Sequence, residues 1–409
     1  MQLFFQFLGL LFTIVCQDPN DAVFSQSINV VLNGQLKHYF VGNVVVHASS
    51  RQEKNEYFPD DSTTFDDDGT PEFIEYLEPY DYDQFIDLND LRVSRIYPDV
   101  NKNQVLPYDI QKGNMSNYMV KKYLGDGTFA FVQSAIRLSD GLPVVLKQIK
   151  KEYTWWAKME AKVLNTLNQE NNPNIVQMVD AFFNESSPVL VFKELQNCTT
   201  FDYRIYNYYH DLTSSDIKQL YYKLFQALAT SHSKGIMHLD IKPANIIIND
   251  DQIQLIDWGV SDFYFPMKEY RTRVGTRHYR APEQLIHYKY YNYAVDVWAL
   301  GSIFATAVFK KYPFFNGRNN DDQLLKVVKV LGSEDFFKFC YKYNVRVPND
   351  LYQKLRSYEK IPLEKFINDE NKELATPQAI DLLNKIFVYD HAFRITAKDI
   401  LQHEYFKDL

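Results

Sequence analysis

Two carboxylates, one amide and one ammonium group stand close together at Asp240, Lys242, Asn245 and Asp257, carried by His238-Leu239-Asp240-Ile241-Lys242-Pro243-Ala244-Asn245 and by Ile256-Asp257-Trp258-Gly259. Phosphoryl transfer asks a protein mainly to position its reactants and to neutralise charge, so a short loop between two apolar strands can hold most of the machinery. In that chemistry Asp240 orients an attacking hydroxyl and accepts its proton, Lys242 stabilises the phosphate in transit, and Asn245 and Asp257 hold magnesium. Asp and Asn also cap turns beside strands, here the strands expected at Ile246–Ile248 and Gln254–Ile256. Any one of the four carries little; the four at this spacing carry the reading.

Such a loop needs elements to deliver a nucleotide to it, and they lie upstream in the chain. Leu124-Gly125-Asp126-Gly127-Thr128-Phe129-Ala130-Phe131-Val132 reads as strand, Gly-rich turn and strand, in which backbone N–H groups approach phosphates. Ala130 stands where a third glycine is usual, which makes this motif weak by itself. Val144-Val145-Leu146-Lys147 is an apolar strand ending in an ammonium group, and the amphipathic stretch Thr154 to Asn168 offers Glu160 as its ion-pair partner. The pair would aim Lys147 at the α and β phosphates of ATP. Downstream, Ala281-Pro282-Glu283 closes a segment opened at Asp257, and Asp296-Val297-Trp298-Ala299-Leu300-Gly301 begins an apolar helix.

In this order the parts resemble a eukaryotic protein kinase. The resemblance implies an α+β bilobal fold, with an antiparallel N-lobe bearing one main helix and a mainly α C-lobe. It also implies an ion pair between Glu283 and a buried arginine, for which Arg394 is the candidate, and protein rather than small-molecule substrates.

Within the kinases the chain is similar to the catalytic alpha subunits of casein kinase II. That likeness rests on Asp257-Trp258-Gly259, on Ser94-Arg95-Ile96-Tyr97-Pro98-Asp99-Val100-Asn101, on Pro313-Phe314-Phe315-Asn316-Gly317, on Lys329-Val330-Leu331-Gly332-Ser333-Glu334-Asp335, and on Asp390-His391 with Arg394-Ile395-Thr396-Ala397. It runs from about Ser94 to Phe406. It implies transfer from ATP, or GTP, to Ser or Thr followed by acidic residues. It also implies an adenine pocket narrowed by Val145 and lined by Leu124, Val132, Val176, Phe192, Ile247 and Ile256, with Glu194 and Leu195 completing the nucleotide-binding set. Arg273, Arg277 and Arg280 are implied to bind acidic side chains of the substrate, since a guanidinium forks onto a carboxylate or phosphate.

The chain also departs from that family. Its lysine-rich run reads here Glu152-Tyr153-Thr154-Trp155-Trp156-Ala157-Lys158, which removes most of one basic wall of the substrate cleft. Leu239 replaces the arginine expected before Asp240, so switching by a phosphate on the segment loses its usual partner. Gln133 and Gln148 stand where apolar residues meet a regulatory beta subunit, and the loss of such anchors weakens that expectation, because a few desolvated residues dominate most interfaces. The changes at Leu239 and in the Trp155-Trp156 run are what a binding scaffold without catalysis would share. Against that alternative stands the full set Lys147, Glu160, Asp240, Lys242, Asn245 and Asp257.

The remainder of the chain is bounded by composition. A length of 409 residues, 46% hydrophobic and 16% aromatic, suffices for two lobes and an extra region. The net charge of −8 is uneven: Arg51 to Asp90 holds fourteen acidic and two basic residues, and Leu91 onward is net basic. The expected organisation is a signal peptide over 1–16, an acidic and partly disordered leader over 17–92, a segment over 93–116 packing on the kinase domain, and that domain over 117–406, its N-lobe to about 195 and its C-lobe from about 196. Thr63 and Thr64 each precede an acidic residue by three positions, the pattern that the family resemblance implies for phosphorylation, which makes the leader an autophosphorylation site, a pseudosubstrate competing for Arg273, Arg277 and Arg280, or a solubilising linker. Ile28 to Gln35 and Val41 to His47 suggest a hairpin.

Met1 to Cys16 is too short to span a membrane and fits a secretory signal that lacks a basic start. Export would make Asn114-Met115-Ser116, Asn184-Glu185-Ser186 and Asn197-Cys198-Thr199 glycosylation acceptors, whereas the family resemblance implies nucleus and cytoplasm. Cys198 and Cys340 set no compartment. No zinc spacing, nucleic-acid motif or basic tail is present.

Overall fold

The computed structural model describes Val100 and residues 105–202, 213–250 and 252–409, together with the backbone of four strands near the N-terminus. Two compact units result, Met1–Glu72 and Phe73–Leu409. In the first, Val23–Leu32 pairs antiparallel with Gln35–Val45, and the register Leu32↔Gln35 leaves Asn33-Gly34 between them. Asn-Gly is the strongest two-residue hairpin signal, and it sets the second strand to begin at Gln35 rather than at the expected Val41. The candidate signal peptide is described only at two short strands. The two long strands fall within the expected leader over 17–92, whereas its acidic stretch 51–90 with Thr63 and Thr64, and 93–104 apart from Val100, lie outside the described residues.

The second unit begins with an antiparallel sheet. β1 (Tyr118–Asp126), β2 (Ala130–Arg137), β3 (Pro143–Ile149), β4 (Met178–Asn184) and β5 (Ser187–Lys193) join in the order β4-β5-β3-β2-β1, and Gln111–Lys112 adds in parallel outside β4. Within β3, Val144, Leu146 and Ile149 are buried while Lys147 is partly open, so the pleat turns the ammonium away from the sheet core. α1 (Thr154–Asn168) crosses this sheet. It buries Ala157, Ala161, Val163, Leu164 and Leu167, and Glu160 lies within the same stripe. A carboxylate on a buried helix face requires a cation opposite it.

The C-terminal part is mainly helical. α2 (Ser214–Ser233) starts at a reciprocal cap, in which Thr213 Oγ1 accepts from the Asp216 N–H at 3.2 Å and Asp216 accepts from the Thr213 N–H at 2.9 Å. α3 (Ala294–Phe309) is buried along its whole length, as a helix apolar on all sides must be. Two short strands, β6 (Ile246–Ile248) and β7 (Ile253–Leu255), flank the turn after Asn245. The second falls one residue earlier than its sequence suggests, which leaves Ile256 and Asp257 outside the ladder. The N-terminal segment reaches this part at Val100, whose methyl occupies the place a Cβ on Gly235 would take. Gly235 also has φ 74, so no other residue fits there without strain.

His391 is buried against the rings of Tyr288, Tyr343 and Phe339. Burial holds its imidazole down at about 4; Glu283 and Asp390 oppose that shift, while Arg394 and Lys342 reinforce it. A depressed histidine stabilises the fold fully above its ordinary value near 6.5, and that contribution is lost as pH falls toward about 4. Thermal denaturation should therefore show a fall in Tm between these limits, and His391→Phe should flatten it. An unchanged pH slope in the variant would exclude His391 as its source.

Candidate active site

The loop around Asp240 is positioned by a buried carboxylate. Asp296, in the first turn of α3 and 1% exposed, accepts from the His238 N–H at 2.8 Å and from the Leu239 N–H at 2.9 Å. Those bonds hold Leu239 at φ 69, a left-handed conformation rare for a branched apolar residue. The next residue, Asp240, is thereby turned toward the cleft. His238 works from the other side: its Nε2 bonds Ile256 O at 3.1 Å and its Nδ1 accepts from the Asp240 N–H at 3.2 Å. Burial lowers its pKa and keeps the ring neutral, with the proton on Nε2, as this pattern requires.

Asp240 receives four donors. Oδ2 accepts from Lys242 Nζ at 2.7 Å and Asn245 Nδ2 at 3.1 Å, and Oδ1 accepts from Thr276 N at 2.9 Å and Thr276 Oγ1 at 3.0 Å. The carboxylate is locked in one orientation while 14% of its side chain stays open to the cleft. Asn245 gives its amide N–H groups to Asp240, with a second bond to Asp240 O at 2.9 Å, and this leaves Oδ1 as its acceptor for a cation.

A second cluster centres on Lys147. Its Nζ lies 2.7 and 3.0 Å from the two Glu160 oxygens and 2.8 Å from Asp257 Oδ1. Burial alone would lower the Lys147 pKa, but the two carboxylates outweigh it and raise it. Lys147 in turn holds Asp257 down at about 2 against the opposing effect of burial, so Asp257 is ionised at neutral pH. Burial raises the Glu160 pKa, with Asp257 adding to the rise and Lys147 opposing it, while the ammonium approaches both carboxylate oxygens. Asp257 has φ 61, and the following Trp258 is fully buried with its ring 4.5 Å from that of His238. The Asp-Trp-Gly segment and the Asp240 loop are thus clamped to each other.

Among the described residues no group of three or more His, Cys, Asp or Glu forms a metal site by itself. Magnesium is ordinarily held by one or two carboxylates together with substrate phosphates, and Asp257 with Asn245 Oδ1 fits that donor set. The Gly-rich turn has matching room. Cβ atoms on Gly125 or Gly127 would meet nothing nearer than the Ala130 carbonyl at 3.9 Å, and Gly127 N closes the turn on that oxygen at 2.8 Å. Of the residues expected around adenine, Val145 pairs directly across the sheet with Phe192, and Val132 with Lys147. Val176 N–H bonds Leu255 O at 3.1 Å and Ile256 N–H bonds Asn245 O at 2.9 Å, which ties that wall to the metal-side residues. Phe192 and Val176 are buried, Val132, Val145, Glu194, Leu195, Ile247 and Ile256 are half-buried, and Leu124 and the turn residues Asp126 and Thr128 are exposed.

The three arginines of the segment are not equivalent. Arg273 is exposed. Arg277 gives Nε to Gly317 O at 3.1 Å. Arg280 spends its fork within the protein, on the carbonyls of Val274, Gly275 and Arg273 and on Asn320 Oδ1. Desolvation, then Arg277, lower its pKa. Glu283 and Arg394 form a two-point pair at 2.7 and 3.0 Å, both side chains fully buried.

Two positioning residues are hard to find from sequence. Asp296 reads as a helix start, although a lone carboxylate in an otherwise apolar helix signals a buried partner. Thr276 carries no sequence signal of its own; only the fold brings it to Asp240.

A β-sheet with one helix beside a mainly helical part, a lysine bridging two carboxylates, and a loop aspartate between an ammonium and an amide together make the layout of a nucleotide-dependent phosphotransferase. A family model for the protein kinase domain matches residues 118–406, and the chain belongs to the protein kinase family. It is 39% identical over 326 residues to a probable serine/threonine-protein kinase of Dictyostelium discoideum, an alignment covering 77% of this chain and 53% of that protein. The chain therefore spans about half the length of that relative. No helix among the described residues is long and apolar enough to cross a membrane.

Proposed function

We propose that this chain is a protein serine/threonine kinase of the casein kinase II alpha type, which transfers the γ-phosphate of ATP, or of GTP, to Ser or Thr followed by acidic residues. The observation that carries the reading is the Asp240 carboxylate, held on both oxygens by Lys242, Asn245 and Thr276 beside the Lys147–Glu160–Asp257 bridge. Asp240 orients the acceptor hydroxyl and takes its proton; Lys242, 2.7 Å away, neutralises charge on the phosphate. Lys147 positions the nucleotide phosphates, and Asn245 and Asp257 hold magnesium, which supplies further charge neutralisation when bound.

Substrate choice falls mainly on Arg273 and secondarily on Arg277, because Arg280 is committed to backbone carbonyls. Charge-assisted bonds contribute about 1.5–3 kcal/mol when well formed, and less at an exposed site such as Arg273. Arg273→Ala should lower kcat/KM for a Ser peptide with downstream Asp residues by about three- to tenfold and leave a neutral peptide unaffected. A wild-type enzyme indifferent to those Asp residues would refute the acidic preference. Gln133 and Gln148, both half-buried, offer little apolar surface to a regulatory beta-type subunit.

A further inference from the structure

The helix that carries Glu160 lacks a side-chain cap at its own start. Tyr153 stands at its N-cap without a side-chain hydrogen bond, and its first turn has no acidic residue. Leu239, buried and apolar, brings no charge to the Asp240 loop that could hold a neighbouring segment. Glu160 nevertheless meets Lys147 at both oxygens, and α1 is held by its buried stripe together with contacts made at its N-terminal end.

Besides the Lys147–Asp257 bridge and the backbone bond from Val176 to Leu255, Arg271 lies over Trp156 and spans the two parts, with the guanidinium carbon 4.2 Å from the ring centroid. At that distance a guanidinium is attracted to the indole face. Trp155 packs edge-on against Trp156 at 4.8 Å and is 54% exposed. Arg271 itself is rooted in the C-terminal part: its carbonyl accepts from Tyr291 Oη at 2.5 Å, and the adjacent Tyr270 N–H donates to Lys289 O at 2.9 Å. Trp156 lies four residues before Glu160, so both sit on neighbouring turns of one helix face. The same end of α1 also grips the Gly-rich turn. Phe129 packs edge-on against Tyr153 at 4.8 Å, and Lys150 donates from Nζ to Thr128 O at 2.8 Å and from its backbone to Phe129 O at 3.0 Å.

We propose that Arg271 stacked on Trp156 is a brace, independent of any phosphate, that docks the segment after Asp257 on α1 and so keeps Glu160 on Lys147 and the Gly-rich turn in register. Trp156 and Arg271 are positioning residues that act through Glu160. The idea deepens the kinase reading and rests on it for its kinetic part alone.

The test compares Trp156→Ala, Arg271→Ala, the double variant and Trp156→Phe in the full chain, by peptide phosphorylation and by amide hydrogen exchange. Each alanine variant should lose about three- to tenfold in kcat/KM, the double should lose no more than either single, and Trp156→Phe should keep most activity. Exchange at Ala157 to Glu160 should quicken in both single variants while that of α3 stays unchanged. Additive losses in the double variant, or unaltered α1 exchange, would overturn the brace. A wild-type chain that transfers no phosphate would defeat the kinase reading, and the exchange measurement would still decide the brace.

Discussion

Asp240→Asn should reduce phosphate transfer to a Ser peptide by about 10²–10⁴-fold, the usual contribution of a positioned general base. The amide is nearly isosteric, and its oxygen can still accept from Thr276 N and Oγ1, so the loop keeps its shape. What disappears is the basic oxygen that Lys242 and Asn245 hold in place. Nucleotide affinity, which is proposed to rest on Lys147 and the Gly-rich turn, should be unchanged. Binding measured with a fluorescent ATP analogue beside a radiolabel transfer assay separates the two effects. A variant retaining more than about a tenth of wild-type transfer would remove Asp240 from its assigned role.

Arg394→Ala should be the most damaging change to stability, at about 3–5 kcal/mol, because it strands the Glu283 carboxylate in a site with no exposure. The guanidinium also donates to the carbonyls of Ala294, Val388 and Tyr389, and those bonds are lost with it. Since Glu283 ends the segment that bears Thr276 and the three arginines, loss of the pair should loosen that segment as well. Pairing Glu283→Gln with Arg394→Met should be less harmful than Arg394→Ala alone, because no buried charge is left uncompensated. Urea denaturation reads this directly. A loss below about 1 kcal/mol for Arg394→Ala would mean that the pair is not sealed from water.

Much of the site is legible in sequence because phosphoryl transfer requires particular residue types within one short loop, so Asp240, Lys242, Asn245 and Asp257 announce themselves by spacing. The helix Thr154–Asn168 is equally plain, since its apolar period runs unbroken and places Glu160 on the buried stripe. Contacts that depend on the tertiary path are not legible. Thr276 reaches Asp240 only because the segment folds back over the loop, and the bonds of Arg280 to the carbonyls of Val274, Gly275 and Arg273 carry no sequence signal. Likewise Trp155-Trp156 reads in sequence as the loss of a basic run, whereas in the fold Trp156 gains Arg271 as a partner.

In the proposed reaction Asp257, whose charge Lys147 maintains and whose backbone sits clamped beside His238, organises metal-dependent transfer. The most direct measurement is incorporation of labelled γ-phosphate from Mg-ATP into an acidic Ser peptide, wild type against Asp257→Ala. Transfer by the wild type that is all but abolished in the variant is the predicted result. Equal incorporation by both proteins, or none by a folded wild type that binds ATP, would contradict it.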